Sequence, residues 1–214
     1  HTSYEGGILE DPWRKPEESM WLRTKSLEKS KSRAQSIDLT FDKGDIVAIN
    51  NKKMKPSKIL HELNILAGSH GIGRDDIVEN RYVGIKSRGC YETPGGTIYF
   101  KAHKAMESIT LDREMLHLKE DLTNRYSRLI YNGYWFSPER ESIQGMIDKS
   151  QTKVSGTVRV RLFKGNVIIE GRKSPYSLYS EDLSTFENDS GEYDQRDAEG
   201  FIKINSLRLK TRSK

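Results

Sequence analysis

The sequence contains one cysteine, Cys90, and no long apolar run. A lone cysteine excludes an internal disulfide and is typical of the reducing cytoplasm, so we predict a cytoplasmic protein. No apolar stretch approaches the roughly 20 residues that span a bilayer, so no membrane contact is predicted. Cys90 could be a nucleophile beside Tyr91, but a small buried residue is the more common role and is the one we predict.

Several sequence motifs of catalysis are also missing. The five histidines show no paired ligand spacing and there is no cysteine cluster, so no metal site is predicted. There is no G-x-S-x-G nucleophile elbow, no Walker sequence and no G-x-G-x-x-G fingerprint. We therefore predict no nucleotide site within these residues, and no residue stands out as a catalytic acid or base.

The charge is mixed and only mildly basic. The 36 Lys and Arg residues exceed the 31 Asp and Glu residues by 5, and the two signs are interleaved along the whole chain. Nucleic-acid binders usually concentrate basic charge on one face, so we predict no nucleic-acid partner. Arg159 and Arg161 share one face of a strand and permit an anion stripe, but a solvated sheet face is the favoured interpretation.

Apolar periodicity predicts an α+β fold, in which helices pack against a mostly antiparallel sheet and a helical segment follows near the C-terminus. Alternating apolar residues predict hairpins over 37–49 and 157–172. Helices are predicted to begin at four points, each marked by a capping residue or by helical apolar spacing: Ser57, Thr93-Pro94, after Thr110 and Ser137-Pro138. Two shorter helices are predicted, around 180–186 and 197–209.

Residues 10–36 form a predicted extended connector. They contain two prolines and many Ser and Lys residues, and Trp13, Trp21 and Leu22 are predicted to anchor them. The chain begins at His1 rather than at a methionine, so we expect a fragment of a longer protein.

The stretch DDIVENRYVGIKSRGCYETPGGT, residues 75–97, combines the pattern of half-buried strands with many hydrogen-bonding groups. Short strands are predicted at 77–78 and 82–85, and residues 87–91 are read as a loop. A buried polar group without a partner costs about 1–3 kcal/mol, so some of these groups must face something polar.

Two interpretations of this stretch remain open on spacing alone. Glu79 and Tyr91 could converge in a small polar pocket near a helix start, where the carboxylate would hold an ammonium group. Alternatively, Glu79 could form a local ion pair with Arg81 or Arg88 that serves only the fold. The second interpretation is the more common outcome for such spacing.

Six segments in collinear order cover nearly the whole chain: HTSYEGGILEDP (1–12), GIGRDDIVENRYVGIKSRGCYETPGGT (71–97), DREMLHLK (112–119), GYWFSPE (133–139), SPYSLYSEDL (174–183) and GFIKINSLRLK (200–210). The VENR…G-x-KSRG-x-YETP pattern within the second segment is the most specific. Together these segments resemble the second half of the argininosuccinate synthase family.

The resemblance implies a ligase that joins citrulline to aspartate and cleaves ATP to AMP and pyrophosphate in arginine biosynthesis. It implies a synthetase domain over 1–196 and an oligomerisation segment over 197–214. The family's citrulline-binding Ser, Glu and Tyr fall on Ser3, Glu79 and Tyr91. ATP, with Mg2+, would be bound mainly by an amino-terminal domain that these residues do not include, and a homotetramer is implied.

The departures from the family pattern define further expectations. Without the family's Ser-Gly-Gly-x-Asp-Thr-Ser phosphate loop, the isolated chain is expected to be inactive. The given sequence ends with LRLKTRSK, so we expect the family's C-terminal arm to be short here. The alternatives are a non-catalytic assembly module and a nucleic-acid-binding module.

Overall fold

The computed structural model describes residues 1–180 and 196–211, which divide into two compact units, 1–178 and 179–214. The first unit holds eight strands and four long helices, and the second holds a helix, α5, at Asp197–Lys210. The strands of the first unit are β1 Thr2–Glu5, β2 Gln35–Asp42, β3 Asp45–Ile49, β4 Lys52–Lys53, β5 Arg74–Asn80, β6 Lys86–Glu92, β7 Gly156–Phe163 and β8 Asn166–Lys173, and its helices are α1 Pro56–Ser69, α2 Pro94–Thr110, α3 Arg113–Tyr131 and α4 Pro138–Ser150.

The strands form two antiparallel sheets, so the predicted α+β class is confirmed. One sheet has five strands in the order β4-β3-β2-β7-β8, and the other has three in the order β1-β6-β5. Both predicted hairpins, β2–β3 and β7–β8, lie in the larger sheet. Their alternation of apolar and polar residues is the reason, because it gives each strand one face that must be covered.

The hydrophobic core lies between the larger sheet and helices α1 and α2. Helix α1 packs on α2 and β3, and α2 packs on β7 and β8. Leu39, Leu63, Ile98 and Val158 are completely buried there. The apolar face that the sequence predicts for each helix is therefore the face that meets the sheet.

Helix starts are confirmed in position for three of the four predicted sites, with different chemistry at each. Asp112 accepts hydrogen bonds from the backbone N–H groups of Glu114 and Met115, and Ser137 accepts one from Arg140. Thr93 precedes α2, but its side chain makes no capping bond. The prediction for α1 was wrong by two residues, because α1 begins at Pro56, whose fixed φ suits the first turn, and Ser57 lies inside the helix.

The smaller sheet corrects the predicted strands around Glu79. Residues 74–80 form one continuous strand that includes the polar residues, and 86–92, read as a loop, form the second strand. The predicted strand at 82–85 is instead the turn between them, closed by hydrogen bonds from Arg81 N–H to the Ile85 carbonyl and from Gly84 N–H to the Arg81 carbonyl. Gly84 has a φ of 83°, which a turn glycine accommodates and a strand does not require.

The connector over 10–36 is held largely by polar contacts, so two of the three predicted apolar anchors were wrong, whereas Trp21 is half-buried and its ring centre lies 4.8 Å from the Arg74 guanidinium carbon. Trp13 is 95% exposed and Leu22 is 70% exposed. The Glu92 carboxylate instead accepts hydrogen bonds from the backbone N–H groups of Leu22, Arg23 and Thr24, at 2.7–3.1 Å, and from the Thr24 hydroxyl at 2.6 Å. One buried carboxylate therefore satisfies three successive backbone donors of a segment that has no regular structure.

Cys90 is buried in β6, as predicted for a packing residue. Burial raises the pKa of its thiol, and the negative charge of the nearby Asp76 carboxylate raises it further. The thiol therefore stays protonated, which disfavours the nucleophile interpretation.

The C-terminal helix predicted over 197–209 is confirmed as α5. The helix predicted around 180–186 lies outside the described residues after Ser180. Within the described ranges, none of the helices combines the length and the apolar character needed to cross a membrane.

His70, which follows α1, gives the fold a testable dependence on pH. Its ring is completely buried, and neither ring nitrogen has a hydrogen-bond partner among the described residues. Desolvation, followed by the charge of Lys31, lowers the pKa of His70 below 6.5. The unfolded chain therefore binds this proton more tightly than the folded chain, so stability is retained above about pH 6.5 and is lost as the pH falls further.

We expect His70→Leu to reduce that loss of stability. The measurement is the free energy of unfolding of the 214-residue chain in urea between about pH 7.5 and about pH 5.5. His61→Gln, on the exposed side of α1, is the control. If the free energy of unfolding of His70→Leu fell with decreasing pH as steeply as that of the wild type, His70 would not be the cause of the pH dependence.

Candidate functional site

The smaller sheet places the three predicted site residues on one face. Ser3 on β1 lies directly opposite Tyr91 on β6, and Glu79 on β5 lies opposite Ser87 on β6. Directly opposed residues share a face, and side chains along one strand alternate between faces, so Ser87 and Tyr91 point the same way. Ser3, Glu79 and Tyr91 therefore share one side of the sheet.

Glu79 is the centre of this face. Its Oε2 accepts a hydrogen bond from the Tyr91 hydroxyl at 3.2 Å, and its Oε1 accepts one from the Tyr131 hydroxyl at 3.0 Å. The Ser87 hydroxyl lies 3.5 Å from Oε1, at the limit of a hydrogen bond. We call these four residues, Glu79, Ser87, Tyr91 and Tyr131, the Glu79 cluster.

Gly89 lets the Tyr91 ring reach Glu79. The ring leans along β6 across the Cα of Gly89, where a methyl group would lie 2.8–2.9 Å from ring carbons and the hydroxyl oxygen of Tyr91. Such a contact is too short for carbon atoms, so alanine at this position would displace the ring. The glycine is required here for the close approach of a side chain, and its φ is not positive.

The hydroxyl groups of the cluster remain protonated donors at neutral pH. Burial, followed by the hydrogen bond to Glu79, raises the pKa of Tyr91 to about 12. Desolvation and the same carboxylate also raise the pKa of Tyr131. Glu79 is thus held by neutral donors, and none of the described residues forms a salt bridge with it.

The predicted ion pair of Glu79 with Arg81 or Arg88 is not present. Arg88 forms two hydrogen bonds to Asp76, at 2.7 and 2.8 Å, on the opposite face of the sheet. Arg81 lies 4.0 Å from the carboxylate of Glu5. Within residues 1–180 and 196–211, Glu79 has no salt bridge, because the alternation of the strand places Arg88 behind the sheet and Arg81 lies beside Glu5 instead.

Ser3 is placed near the cluster without being bonded to it. It is exposed on β1, and its hydroxyl forms no hydrogen bond with any of the described residues. Its proposed ligand role is therefore compatible with its position and stays a prediction.

Sequence reasoning missed Tyr131 and Ser87. Tyr131 is the last residue of α3 and lies 52 positions from Glu79, so no local spacing relates the two. Ser87 could have been paired with Glu79 if 86–92 had been read as a strand, because the turn at 81–85 then fixes the register.

A groove of about 660 Å3 lies beside the cluster, between residues 5–12 and the β5–β6 hairpin. Ser87 is the one member of the Glu79 cluster that lines it. Its basic lining residues are already in contact with polar groups: Arg88 with Asp76, Lys86 with Asn80 at 2.9 Å, and Arg81 near Glu5. The basic residues of the groove are therefore occupied within the fold, and Glu79, Tyr91 and Tyr131 are not among its lining residues.

The strand arginines that permitted an anion stripe are paired with acids. Arg159 makes two hydrogen bonds to Asp38, at 2.7 and 2.9 Å, and Arg161 lies 3.4 Å from Glu170. This face of the larger sheet is thus a solvated, charge-balanced surface, as the sequence interpretation favoured.

Comparison with known proteins matches residues 1–212 to the family model described as "Arginosuccinate synthase C-terminal domain". A relative named argininosuccinate synthase from Psychrobacter sp. is 61% identical over 209 residues, covering 98% of this chain and 51% of that protein. A relative of the same name from Methylococcus capsulatus is 62% identical over 211 residues, covering 98% of this chain and 52% of that protein. One from Ruthia magnifica is 56% identical over 213 residues, covering 100% of this chain and 53% of that protein. The chain thus spans about half the length of these relatives.

Proposed function

The chain belongs to the argininosuccinate synthase family, and we propose that it is the carboxyl-terminal half of an enzyme that ligates citrulline to aspartate. In this proposal ATP is cleaved to AMP and pyrophosphate, and the reaction serves arginine biosynthesis. This half supplies citrulline-binding groups and subunit contacts within a cytoplasmic homotetramer, without a nucleic-acid or membrane partner.

The observation that carries the proposal is the carboxylate of Glu79, which forms no salt bridge with the described residues. This half-buried carboxylate accepts hydrogen bonds from two neutral phenols and has about two further lone-pair positions that could accept a donor. An α-ammonium group supplies both the missing charge and the missing donors. Citrulline is an amino acid that carries such a group, and the proposed ligands Ser3 and Tyr91 share the face on which it would lie.

The proposed reaction has two steps. The ureido oxygen of citrulline attacks the α-phosphorus of ATP, which releases pyrophosphate and forms a citrulline–adenylate. The amine of aspartate then displaces AMP. We propose that ATP, with Mg2+, and most of the aspartate are bound by an amino-terminal half, so the 214-residue chain alone is expected to be inactive.

The contribution of this half is therefore positional. Binding the amino-acid end of citrulline at Glu79 leaves the ureido end free to approach the nucleotide. Holding two reactants in the reactive geometry replaces a bimolecular encounter with a unimolecular step.

The experiment that tests the proposal is citrulline-dependent pyrophosphate release by the full-length protein, compared with its Gly89→Ala variant. The wild type should release pyrophosphate only when citrulline is present. In Gly89→Ala the added methyl group displaces the Tyr91 ring, so the KM for citrulline should rise about tenfold, the effect of losing one hydrogen bond to a charged group.

Gly171→Ala is the matched control, because Gly171 also lies in a strand but has no atom within 4 Å of an added methyl group. Its kinetics should equal those of the wild type. Pyrophosphate release that does not depend on citrulline, or equal effects of the two substitutions, would contradict the proposal.

A further inference from the structure

Tyr131 connects a distant helix to the proposed citrulline site. It is the final residue of α3, and its hydroxyl donates to Glu79 Oε1 at 3.0 Å, while Tyr91 donates to Oε2 at 3.2 Å. Each carboxylate oxygen thus accepts one hydrogen bond from a phenol, Tyr91 on the neighbouring strand and Tyr131 at the end of α3.

We propose that Tyr131 is a positioning residue for citrulline, acting through Glu79. The inference rests on the proposed function and deepens it. A glutamate side chain has three rotatable bonds, and an unrestrained carboxylate would lose that freedom when the ammonium group binds. With both oxygens already bonded to phenols, Glu79 is held in one orientation before the ligand arrives, which removes part of the cost of binding.

Ser87 does not replace Tyr131 in this role. Its hydroxyl lies 3.5 Å from the same oxygen, where a hydrogen bond is weak. Without the Tyr131 hydroxyl, Oε1 would retain only that contact, so the carboxylate could rotate about the remaining bond to Tyr91.

The orientation of the Glu79 carboxylate depends on how the end of α3 is attached to the rest of the fold. None of the described residues of α3 is buried, and its main packing contact is with α4. Two phenol bridges tie the end of α3 and the turn after it to the β5–β6 hairpin. Tyr131 bonds to Glu79, and Tyr134 in the turn bonds to Tyr82 with 2.5 Å between the two hydroxyl oxygens. Tyr131 is 51% exposed and Glu79 is only half-buried, so removing the Tyr131 hydroxyl leaves no fully buried group unsatisfied.

The two tyrosines provide a matched pair for the test. Tyr131→Phe removes the bridge that touches Glu79, and Tyr134→Phe removes the neighbouring bridge that does not. In the full-length enzyme, Tyr131→Phe should raise the KM for citrulline about tenfold, with kcat and the KM for aspartate changed less than about twofold. Tyr134→Phe should leave all three constants unchanged.

A merely structural role would give a different pattern. An unchanged KM for citrulline in Tyr131→Phe, or an equal rise in Tyr134→Phe, would overturn the inference, because a loosened helix end affects both variants alike. The melting temperatures of the two variants should also agree with each other.

A double-substitution cycle distinguishes the inference from the proposal beneath it. In a Glu79→Gln background, Tyr131→Phe should cause no further rise in the KM for citrulline, because its target charge is already gone. A full additional tenfold rise would overturn the positioning role. If Glu79→Gln itself left the KM for citrulline unchanged, the proposed function and the role of Tyr131 would fail together. If Glu79→Gln raised the KM for citrulline and Tyr131→Phe did not, only the role of Tyr131 would be rejected.

Discussion

Replacing Glu79 with alanine in the full-length protein should reduce kcat/KM for citrulline by about 100-fold or more, as expected when one partner of a desolvated charge pair is lost. The ammonium group of bound citrulline would then face two phenol donors, Tyr91 and Tyr131, and no anion. The measurement is steady-state pyrophosphate release at varied citrulline concentration. The KM values for ATP and aspartate should change little, because the proposal places neither substrate at this carboxylate.

Two further substitutions separate charge from folding. Glu79→Gln keeps the size of the side chain but not its charge, and it should lose most of the same activity. Asp76→Asn alters an acid on the same strand that faces the other side of the sheet, where Arg88 pairs with it, and it should leave the KM for citrulline unchanged. A normal KM in Glu79→Gln would show that the negative charge is not used in citrulline binding.

Replacing Glu92 with alanine should lower the free energy of unfolding of the 214-residue chain by about 4 kcal/mol, since three backbone N–H groups would lose their acceptor. Glu92 is 1% exposed, and its carboxylate accepts from Leu22, Arg23 and Thr24. Few waters could replace the carboxylate at a buried position, so most of the cost remains. Urea denaturation followed by circular dichroism measures this change.

Glu62→Ala provides the comparison for Glu92. Glu62 forms an exposed pair with Lys58 one helical turn away, and such solvated pairs contribute little to stability. A loss in Glu92→Ala no larger than the loss in Glu62→Ala would mean that the connector is held by something other than this carboxylate.

The two faces of the β5–β6 hairpin explain why one short stretch holds so many polar groups. Arg88, Asp76 and Glu92 lie on one face, where they bond to each other or to the connector. Glu79, Ser87 and Tyr91 lie on the other face, where Glu79 finds only neutral donors. The alternation of a strand thus separates the charges that stabilise the fold from the charge proposed to bind citrulline.

Periodicity in the sequence was sufficient for the larger sheet and its helices. Residues 37–49 and 157–172 alternate cleanly, and the apolar spacing of α1 and α2 marks the face that each buries. In these elements local preference and tertiary packing agree, so the predicted and observed positions agree within a few residues.

The smaller sheet could not be read in the same way. The apolar residues Tyr82, Val83 and Ile85 look like a strand but lie exposed in a turn, while the polar residues of 86–92 form the strand. The register between these two strands depends on the turn at 81–85 and on the bonds of the buried Glu92, and neither of these features leaves a periodic pattern in the sequence. Tyr131 was beyond reach because the path of α3 decides its contact with Glu79.

The most direct test of the central claim is a crystal structure of the full-length protein with citrulline bound. The expected result is a distance of about 3 Å between the α-nitrogen of citrulline and a carboxylate oxygen of Glu79, the length of a charge-assisted hydrogen bond. Citrulline bound with its α-nitrogen on a different acidic residue, and Glu79 still bonded only to its two phenols, would contradict the account.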